Sequence, residues 1–404
     1  MVLKSSIQIS VTEQRNWLRA KDVGLHRESL PKIKLSPKHI LIITGIRRCG
    51  KSTAMHQLIK QKITKCAFFN FEDPRVFGFE VSDFPKLADV MGSEAQFYFF
   101  DEIQNVPKWE LFIRNLHDKN KTICIKGSNA SLLSKELGSR LTGRNIQVEL
   151  FPFSYLEYTK FTKQKLSETS FNNYIKEGGF PDYITSKSTE VLHQLFKDII
   201  FRDIIVRHGI RNAKVFIDIA LFLISNAAKE YSLTKIKNAF NVGSTNSVVD
   251  YVQWLEDSYI LFSLPKFSWS PKSVAINARK IYTIDTAFAR ANSLSFTEDT
   301  GRLLENAVYL HLRRSYKDLY YFKEKNECDF VVKEKEKVTM VFQVCSSLND
   351  DNIKRETTGI VEAMHFFNLK MGIILTTNQE DELNIDGKKI KLIPVFKWMS
   401  VNFK

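Results

Sequence analysis

The stretch GIRRCGKST occupies residues 45–53 and directly follows the apolar run HILIIT at residues 39–44. Glycines allow backbone N–H groups to turn toward a polyphosphate, because a Cβ atom would obstruct the approach. The spacing fits G-x-x-x-x-G-K-[ST], with Gly45, Gly50, Lys51 and Ser52 at the fixed positions. The apolar run is typical of a buried parallel strand, and residues 52–62 are typical of a helix. This context favours a phosphate-binding loop over a chance glycine-rich turn.

The residues of this loop have expected roles toward ATP and Mg²⁺. Lys51 would reach the β- and γ-phosphates, and Ser52 would offer its hydroxyl to Mg²⁺. The helix that begins near Lys51 would aim its positive end at the same phosphates. Arg47 and Arg48 are unusual here, and they either contact the nucleotide or fasten the loop to the rest of the protein. We expect the whole loop to bind ATP: Gly45, Ile46, Arg47, Arg48, Cys49, Gly50, Lys51, Ser52 and Thr53.

The stretch FYFFDEIQNV, residues 97–106, ends an apolar strand with two carboxylates. Asp101 is expected to hold the water shell of Mg²⁺, and Glu102 to polarise the water that attacks the γ-phosphate. The carboxyl end of a parallel strand is where such sheets bind ligands. The alternative is an acidic surface pair that merely follows a core strand.

Polar and basic residues further along the chain could complete this site. Ser128 and Asn129 end the stretch TICIKGSN, where they either contact the γ-phosphate and the attacking water or cap a helix. Arg144 is our preferred guanidinium for the γ-phosphate, supplied by the same or a neighbouring subunit. The other arginines of GSRLTGRNIQ and FRDIIVRHGIRN are alternatives, and each could equally pair with a carboxylate.

Length, charge and cysteine content bound the class of protein. The 404 residues predict two or three domains, and a net charge of +14 indicates an anionic partner, DNA before RNA. A biased genome composition would raise the lysine content as well. The five cysteines form no C-x-x-C pair, no apolar run approaches 18 residues, and no signal-peptide core begins the chain. We expect a cytoplasmic protein without a membrane segment, with a homo-oligomer as one option.

Apolar strands alternate with helices over residues 36–150, which predicts a parallel sheet covered on both faces. The predicted strands are 39–44, 66–71, 97–101, 122–126 and 146–150. Helices predicted at 215–228, 232–240 and 244–257, before a strand at 259–264, resemble a winged helix-turn-helix. Its last helix either reads a DNA groove or packs as a lid beside the ATPase. The predicted domains are 1–210, 211–275 and 276–404.

Several stretches together resemble the prokaryotic AAA-type ATPases that carry a C-terminal domain of unassigned function. They are GIRRCGKST, FFDEIQNVPKW, KGSNASLLS, LTGR and ELFPFSYLEY, followed by EGGFPDY, RDIIVRHGI and GRLLENAVYLHLRR. The resemblance covers nearly the whole chain in the expected order. It implies an α/β fold: a P-loop parallel sheet with an additional strand, ATP binding, and a restriction-endonuclease-like C-terminal domain.

Restriction-type nucleases hold Mg²⁺ with a helix Glu, a strand Asp and a [D/E]-x-K pair on the next strand. Here Glu305 and Asp329 take the first two positions, whereas Gln343 and Cys345 take the third. Gln343 could offer an uncharged amide oxygen to a metal, but Cys345 cannot replace a lysine. A lysine of the nearby turn could substitute. We therefore expect a vestigial site in a binding or structural domain.

The main hypothesis is a Mg²⁺-dependent ATPase that moves a winged-helix module and a nuclease-like domain on nucleic acid. One alternative is a non-catalytic nucleic-acid-binding or scaffold protein that ATP switches. The other is an ATP-gated, metal-dependent nuclease.

Overall fold

A computed structural model of the protein describes residues 1–61, 66–127, 143–294 and 299–401. The chain divides into two units, Met1–Phe151 and Pro152–Lys404. No helix within the described ranges is long and apolar enough to cross a bilayer. All five cysteines are free thiols, and four of them are buried.

The first unit is built on one parallel sheet. Its strands are β1 (Ile40–Thr44), β2 (Cys66–Asn70), β3 (Phe97–Asp101), β4 (Thr122–Lys126) and β5 (Asn145–Glu149). Its described helices are α1 (Lys4–Ala20), α2 (Lys51–Lys60), α3 (Phe84–Met91) and α4 (Trp109–Asp118). The strand order is β2-β3-β4-β1-β5, and every neighbouring pair is parallel. Because β4 lies between β1 and β3, the predicted additional strand is confirmed.

The core of this unit explains why its strands carry unbroken apolar runs. All residues of β1 and β4 are buried, as expected for strands that are covered on both faces. Phe71, just after β2, meets Phe79 and the α3 residue Phe84 edge to face. Helix α1 buries Ile7 and Val11 against this core, whereas Trp17 stays half exposed.

The second unit begins with helices. They are α5 (Tyr155–Thr162), α6 (Glu168–Glu177), α7 (Pro181–Ser186), α8 (Glu190–Asp198) and α9 (Ala213–Ser225). A π-helical segment, Ile199–Ile205, continues α8 into a single turn, Val206–His208. The next elements are β6 (Glu230–Tyr231), α10 (Leu233–Ala239), α11 (Thr245–Asp257), β7 (Leu261–Pro265), α12 (Pro271–Ile276), β8 (Arg279–Thr283) and α13 (Thr286–Asn292).

The strands β6, β7 and β8 form a small antiparallel sheet in the order β6-β8-β7. The helices α10 and α11 lie between β6 and β7 along the chain and pack on each other. Because β8 pairs with both other strands, this module extends to Thr283. The predicted boundary at residue 275 falls before the central strand of this small sheet.

The predicted boundary at residue 210 falls inside the second unit. The structure divides the chain after Phe151, because α6 and α8 pack on α13. Asp285, which caps α13, accepts hydrogen bonds from the amides of Gly179 (2.6 Å) and Phe288 (2.9 Å). A Cβ atom at Gly178 would overlap the Asp285 carboxylate. The two glycines of EGGFPDY therefore serve the packing of the second unit.

The remaining described elements are six strands, which form one mixed sheet, and three helices. They are α14 (Thr300–Ser315), β9 (Asp318–Lys323), β10 (Glu327–Glu334), β11 (Lys337–Val344), α15 (Ile353–Phe366), β12 (Met371–Thr376), β13 (Asp381–Ile385), β14 (Lys388–Pro394) and α16 (Val395–Ser400). The strand order is β13-β14-β12-β11-β10-β9. The strands β9, β10 and β11 are antiparallel, and β12 is parallel to both β11 and β14.

Candidate nucleotide site

The loop of residues 45–50 connects the end of β1 to the start of α2, which confirms the predicted strand–loop–helix context. Gly45 has φ 141° and Gly50, the N-cap of α2, has φ 97°. A Cβ atom at Gly45 would overlap the carbonyl oxygen of Leu150, just after β5. Glycine is therefore required at position 45 because the loop lies directly against this backbone.

The side chain of Lys51 is buried within the loop that it terminates. Its Nζ donates hydrogen bonds to the carbonyls of Gly45 and Ile46, both at 2.7 Å. Burial lowers the pKa of Lys51. The ammonium thus lies against the glycine-containing backbone that is predicted to hold the phosphates.

The arginine that fastens the loop is Arg27, which the sequence analysis missed. Arg27 is 3% exposed, and its guanidinium donates to the carbonyls of Cys49 and Phe151, each at 2.7 Å. Arg47 is only partly buried and Arg48 is exposed. Arg27 lies in a basic segment without apolar periodicity, so no local signal distinguishes it from its neighbours.

The two carboxylates of the second motif are buried at the end of β3. Asp101 and Glu102 are 7% and 6% exposed. Glu102 has a left-handed backbone, φ 53°, and its amide donates to the carbonyl of Lys126 at 3.1 Å. Such a conformation is costly for a non-glycine residue and is often found at functional sites. Burial raises the pKa of Asp101 to about 6, although the ammonium of Lys126 opposes that rise.

A buried lysine that the sequence analysis also missed joins these groups. Lys126 ends β4 and is the register partner of Asp101. Its Nζ lies 2.5 Å from Asp101 Oδ1, 2.9 Å from Ser52 Oγ and 3.6 Å from Glu102 Oε1. The Ser52 hydroxyl and the Asp101 carboxylate, which were predicted to hold Mg²⁺, therefore both contact the ammonium of Lys126. This donor set fits a hard divalent cation, which prefers oxygen ligands.

A cavity of about 610 Å³ opens beside this cluster. Ser52, Asp101 and Lys126 line one side of it, and Trp17 of α1 and Glu72 after β2 line another. The buried charges therefore border a space that is open to a ligand or to a moving side chain.

The remaining predicted residues have different outcomes. Ser128 and Asn129 lie outside the described residues. Arg144 lies at the start of β5, where its carbonyl accepts from the Ile40 amide and its guanidinium is 3.3 Å from Asp118. The parallel pairing of β1 with β5 puts Arg144 at the opposite edge of the sheet from the loop, roughly 16 Å away along the strand. Arg144 therefore does not lie beside the loop of its own chain, and its role toward a γ-phosphate of the same or a neighbouring subunit stays a prediction.

Two of the predicted vestigial nuclease residues, Glu305 and Asp329, come together in the second unit around another lysine. Lys280 of β8 is 3% exposed, and its Nζ lies 3.0 Å from Glu305, 2.9 Å from Asp329 and 2.7 Å from Glu327. Burial raises the pKa of Glu305 to about 7. The lysine beside these carboxylates therefore belongs to β8 and not to the turn between β10 and β11.

Hydrogen bonds engage the side chain of Gln343, and burial keeps the thiol of Cys345 protonated. The Gln343 amide oxygen accepts from the Asp329 amide at 3.2 Å, and its amide nitrogen donates to Glu356 at 2.8 Å. Burial raises the pKa of the Cys345 thiol to about 12, so Cys345 remains neutral. In the described ranges, no group of three or more His, Cys, Asp or Glu side chains is placed to hold a metal ion.

Comparisons with known proteins match most of the first unit to a described domain. A sequence profile described as AAA domain matches residues 37–159, and one described as Domain of unknown function (DUF8612) matches residues 168–299. The uncharacterized protein MJ1544 of Methanocaldococcus jannaschii is 34% identical over 403 residues, covering 91% of this chain and 89% of that protein. An uncharacterized protein of Haemophilus influenzae is 27% identical, covering 89% of this chain and 94% of that protein.

Among solved structures, the RuvB Holliday junction branch migration motor of Thermotoga maritima is 16% identical. The match covers 64% of this chain and 90% of that one, with a TM-score of 0.30. That overlap is too small to bear on function.

The strand order, the loop between β1 and α2, and the AAA-domain match define an AAA-type P-loop NTPase domain in the first unit. Similarity to the M. jannaschii protein extends over almost the full length of both chains. The chain therefore belongs to the family of AAA-domain proteins that includes MJ1544.

We predict that Arg27→Met will loosen the loop, because two buried carbonyls lose charge-assisted hydrogen bonds. The loss should destabilise the first unit by about 3 kcal/mol. Hydrogen–deuterium exchange should accelerate in peptides that cover residues 45–53 and 145–151. Arg114→Met, on the exposed surface of α4, is the matched control and should change neither property. Unchanged exchange in the Arg27 variant would contradict the anchoring role.

Proposed function

We propose that the protein is a Mg²⁺-dependent ATPase whose nucleotide binds at the loop of residues 45–53. The observation that carries this proposal is that Ser52 and Asp101 contact the same ammonium, that of Lys126, beside the loop. A phosphate loop and an acidic residue at the end of another strand of the same sheet are the two elements that P-loop NTPases use to hold Mg²⁺ and the phosphates. Bound Mg²⁺ would neutralise charge on the β- and γ-phosphates.

The protein's own residues divide the work between binding and hydrolysis. Lys51 would exchange its carbonyl partners for phosphate oxygens, which are better acceptors for an ammonium. Glu102 would orient the attacking water, because one of its oxygens is held by Gln104 and its backbone is fixed in the left-handed region. The reaction requires positioning more than covalent chemistry, and a buried, fixed carboxylate suits that task.

We further propose that nucleotide turnover repositions a nucleic-acid-binding second unit. The element order α9-β6-α10-α11-β7-α12-β8 supports a winged helix, whose helix α11 exposes Asn246 and Gln253. Lys235 and Lys237 of α10 could contact phosphates. The net charge of +14 favours the same partner, with DNA before RNA.

For the C-terminal region we propose a restriction-endonuclease-like fold that has no nuclease activity. The order α14-β9-β10-β11-α15-β12, with β12 parallel to β11, supports that fold. The ammonium of Lys280 among Glu305, Asp329 and Glu327 supports the loss of activity, because it takes the charge that a metal ion would supply. We infer a binding or structural role.

The first test separates ATP binding from hydrolysis. Lys51→Ala should abolish ATP binding, because the phosphates lose their main cation. Glu102→Gln should bind ATP normally but hydrolyse it about 100-fold or more slowly, because it keeps the shape and loses the carboxylate. Calorimetric binding and phosphate release measure the two effects, with exposed Glu94→Gln as the control. Equal turnover in wild type and Glu102→Gln would contradict the assignment. ATP binding without turnover in wild type would instead favour an ATP-switched scaffold.

The second test concerns nucleic acid. Binding of DNA and RNA should weaken steeply as salt rises, because each phosphate contact releases counterions. Replacing both Lys235 and Lys237 with Gln should lower the slope of log affinity against log salt by about 2. The control pair, Lys165→Gln with Lys337→Gln, is exposed outside α10 and α11 and should leave the slope unchanged. No binding at low salt would mean that the charge has another origin.

The third test concerns the nuclease-like region. We expect no Mg²⁺- or Mn²⁺-dependent cleavage of plasmid, linear DNA or RNA, with or without ATP. Glu305→Gln combined with Asp329→Asn is the matched control, because it keeps side-chain shape and removes both charges. Cleavage by wild type that this double variant lacks would establish a working nuclease and overturn our interpretation of Lys280.

A further inference from the structure

The buried ammonium of Lys126 lies where the proposed metal ligands of the nucleotide site meet. Its nitrogen contacts Ser52 Oγ at 2.9 Å and Asp101 Oδ1 at 2.5 Å. Lysine carries a donor-only cation, so it can satisfy both oxygens as a counterion. Lys126 is 7% exposed and therefore has little access to water as an alternative partner.

Two cations cannot share this position. Mg²⁺ binds oxygen ligands at about 2.0–2.1 Å, so a metal ion on Ser52 and Asp101 would overlap an ammonium that contacts both. Like charges at such a distance repel strongly in a buried site. Metal binding to these oxygens therefore requires Lys126 to leave.

We propose that Lys126 is an internal counterion of the nucleotide site that competes with Mg²⁺ for Ser52 and Asp101. The competition sets the Mg²⁺ concentration at which the site accepts Mg²⁺-bound ATP. This inference rests on the proposed function for its role in ATP binding, but the exchange of ammonium for metal can be measured without nucleotide.

The fold gives Lys126 a second position to occupy. Lys126 borders the cavity of about 610 Å³, whose wall also carries Glu72. Burial lowers the pKa of Lys126, but the charges of Asp101 and Glu102 raise it overall. The exposed carboxylate of Glu72 adds a smaller rise. A rotation of the flexible side chain into this cavity would pair the ammonium with Glu72 or with a phosphate of ATP.

The ammonium also explains how two carboxylates remain buried at the end of β3. Breaking a buried ion pair by removing one partner leaves an uncompensated charge, which is strongly unfavourable. Without Lys126, the carboxylates of Asp101 and Glu102 should therefore bind a divalent cation more tightly. Lys126 is therefore a positioning residue: it acts on Ser52 and Asp101 and does not contact the reacting atoms.

The test compares Lys126→Met with Lys121→Met in the full-length chain. Methionine keeps the length of the side chain and removes the charge. Lys121 lies just before the same strand, where its ammonium donates to the carbonyls of Ser93 and Ala95 at the opposite sheet edge. Circular dichroism verifies that both variants are folded.

The first measurement is Mn²⁺ binding without nucleotide, by electron paramagnetic resonance. Lys126→Met should bind Mn²⁺ roughly tenfold more tightly than wild type, because the competing ammonium is gone. Adding Asp101→Asn to Lys126→Met should abolish the gain, and Lys121→Met should match wild type. Equal or weaker Mn²⁺ binding by a folded Lys126→Met would overturn the proposal.

The second measurement is a Mg²⁺ titration of fluorescent ATP binding. Half-maximal binding should require roughly tenfold less Mg²⁺ in Lys126→Met than in wild type. An unchanged or higher Mg²⁺ requirement would overturn the proposal as well. If no variant or wild type binds the nucleotide, the proposed ATPase function fails, while the Mn²⁺ titration still decides the role of Lys126.

Discussion

The register of three parallel strands is the constraint on which the nucleotide site depends. Asp101 of β3 pairs with Lys126 of β4, and Lys126 pairs in turn with Ile43 of β1, one residue before the strand ends. The phosphate-binding loop, the carboxylates and the buried lysine therefore meet at one edge of the sheet. A slip of one residue along β4 would turn Lys126 to the other face of the sheet and separate these charges.

Burial of charge is solved in the same way in both units. A single lysine is surrounded by carboxylates: Lys126 by Asp101 and Glu102, and Lys280 by three acidic side chains. An isolated buried carboxylate is very costly, so each lysine stabilises a cluster that could not otherwise remain charged. In the second unit this pairing also joins β8 to α14 and β10, so the small antiparallel sheet and the six-stranded sheet share one ion-pair network.

The loop is anchored to a particular point of the chain. Arg27 bridges the carbonyl of Cys49 in the loop and that of Phe151, the last residue of the first unit. Gly45, at the other end of the loop, lies against the carbonyl of Leu150. Arg27 and Gly45 therefore fix the loop to the backbone at the end of the first unit.

The sequence by itself determined the strands of the parallel sheet, the loop between β1 and α2, and the acidic pair, because these depend on local periodicity and fixed spacing. The order of helix and strand along the chain also singled out Glu305 and Asp329 as two acidic residues of one cluster. Only the tertiary structure decided the partners of Arg27, Lys126 and Lys280, and the position of Arg144 at the sheet edge opposite the loop. Those partners are distant in sequence, and a charged residue carries no local sign of which carboxylate or carbonyl it will meet once buried.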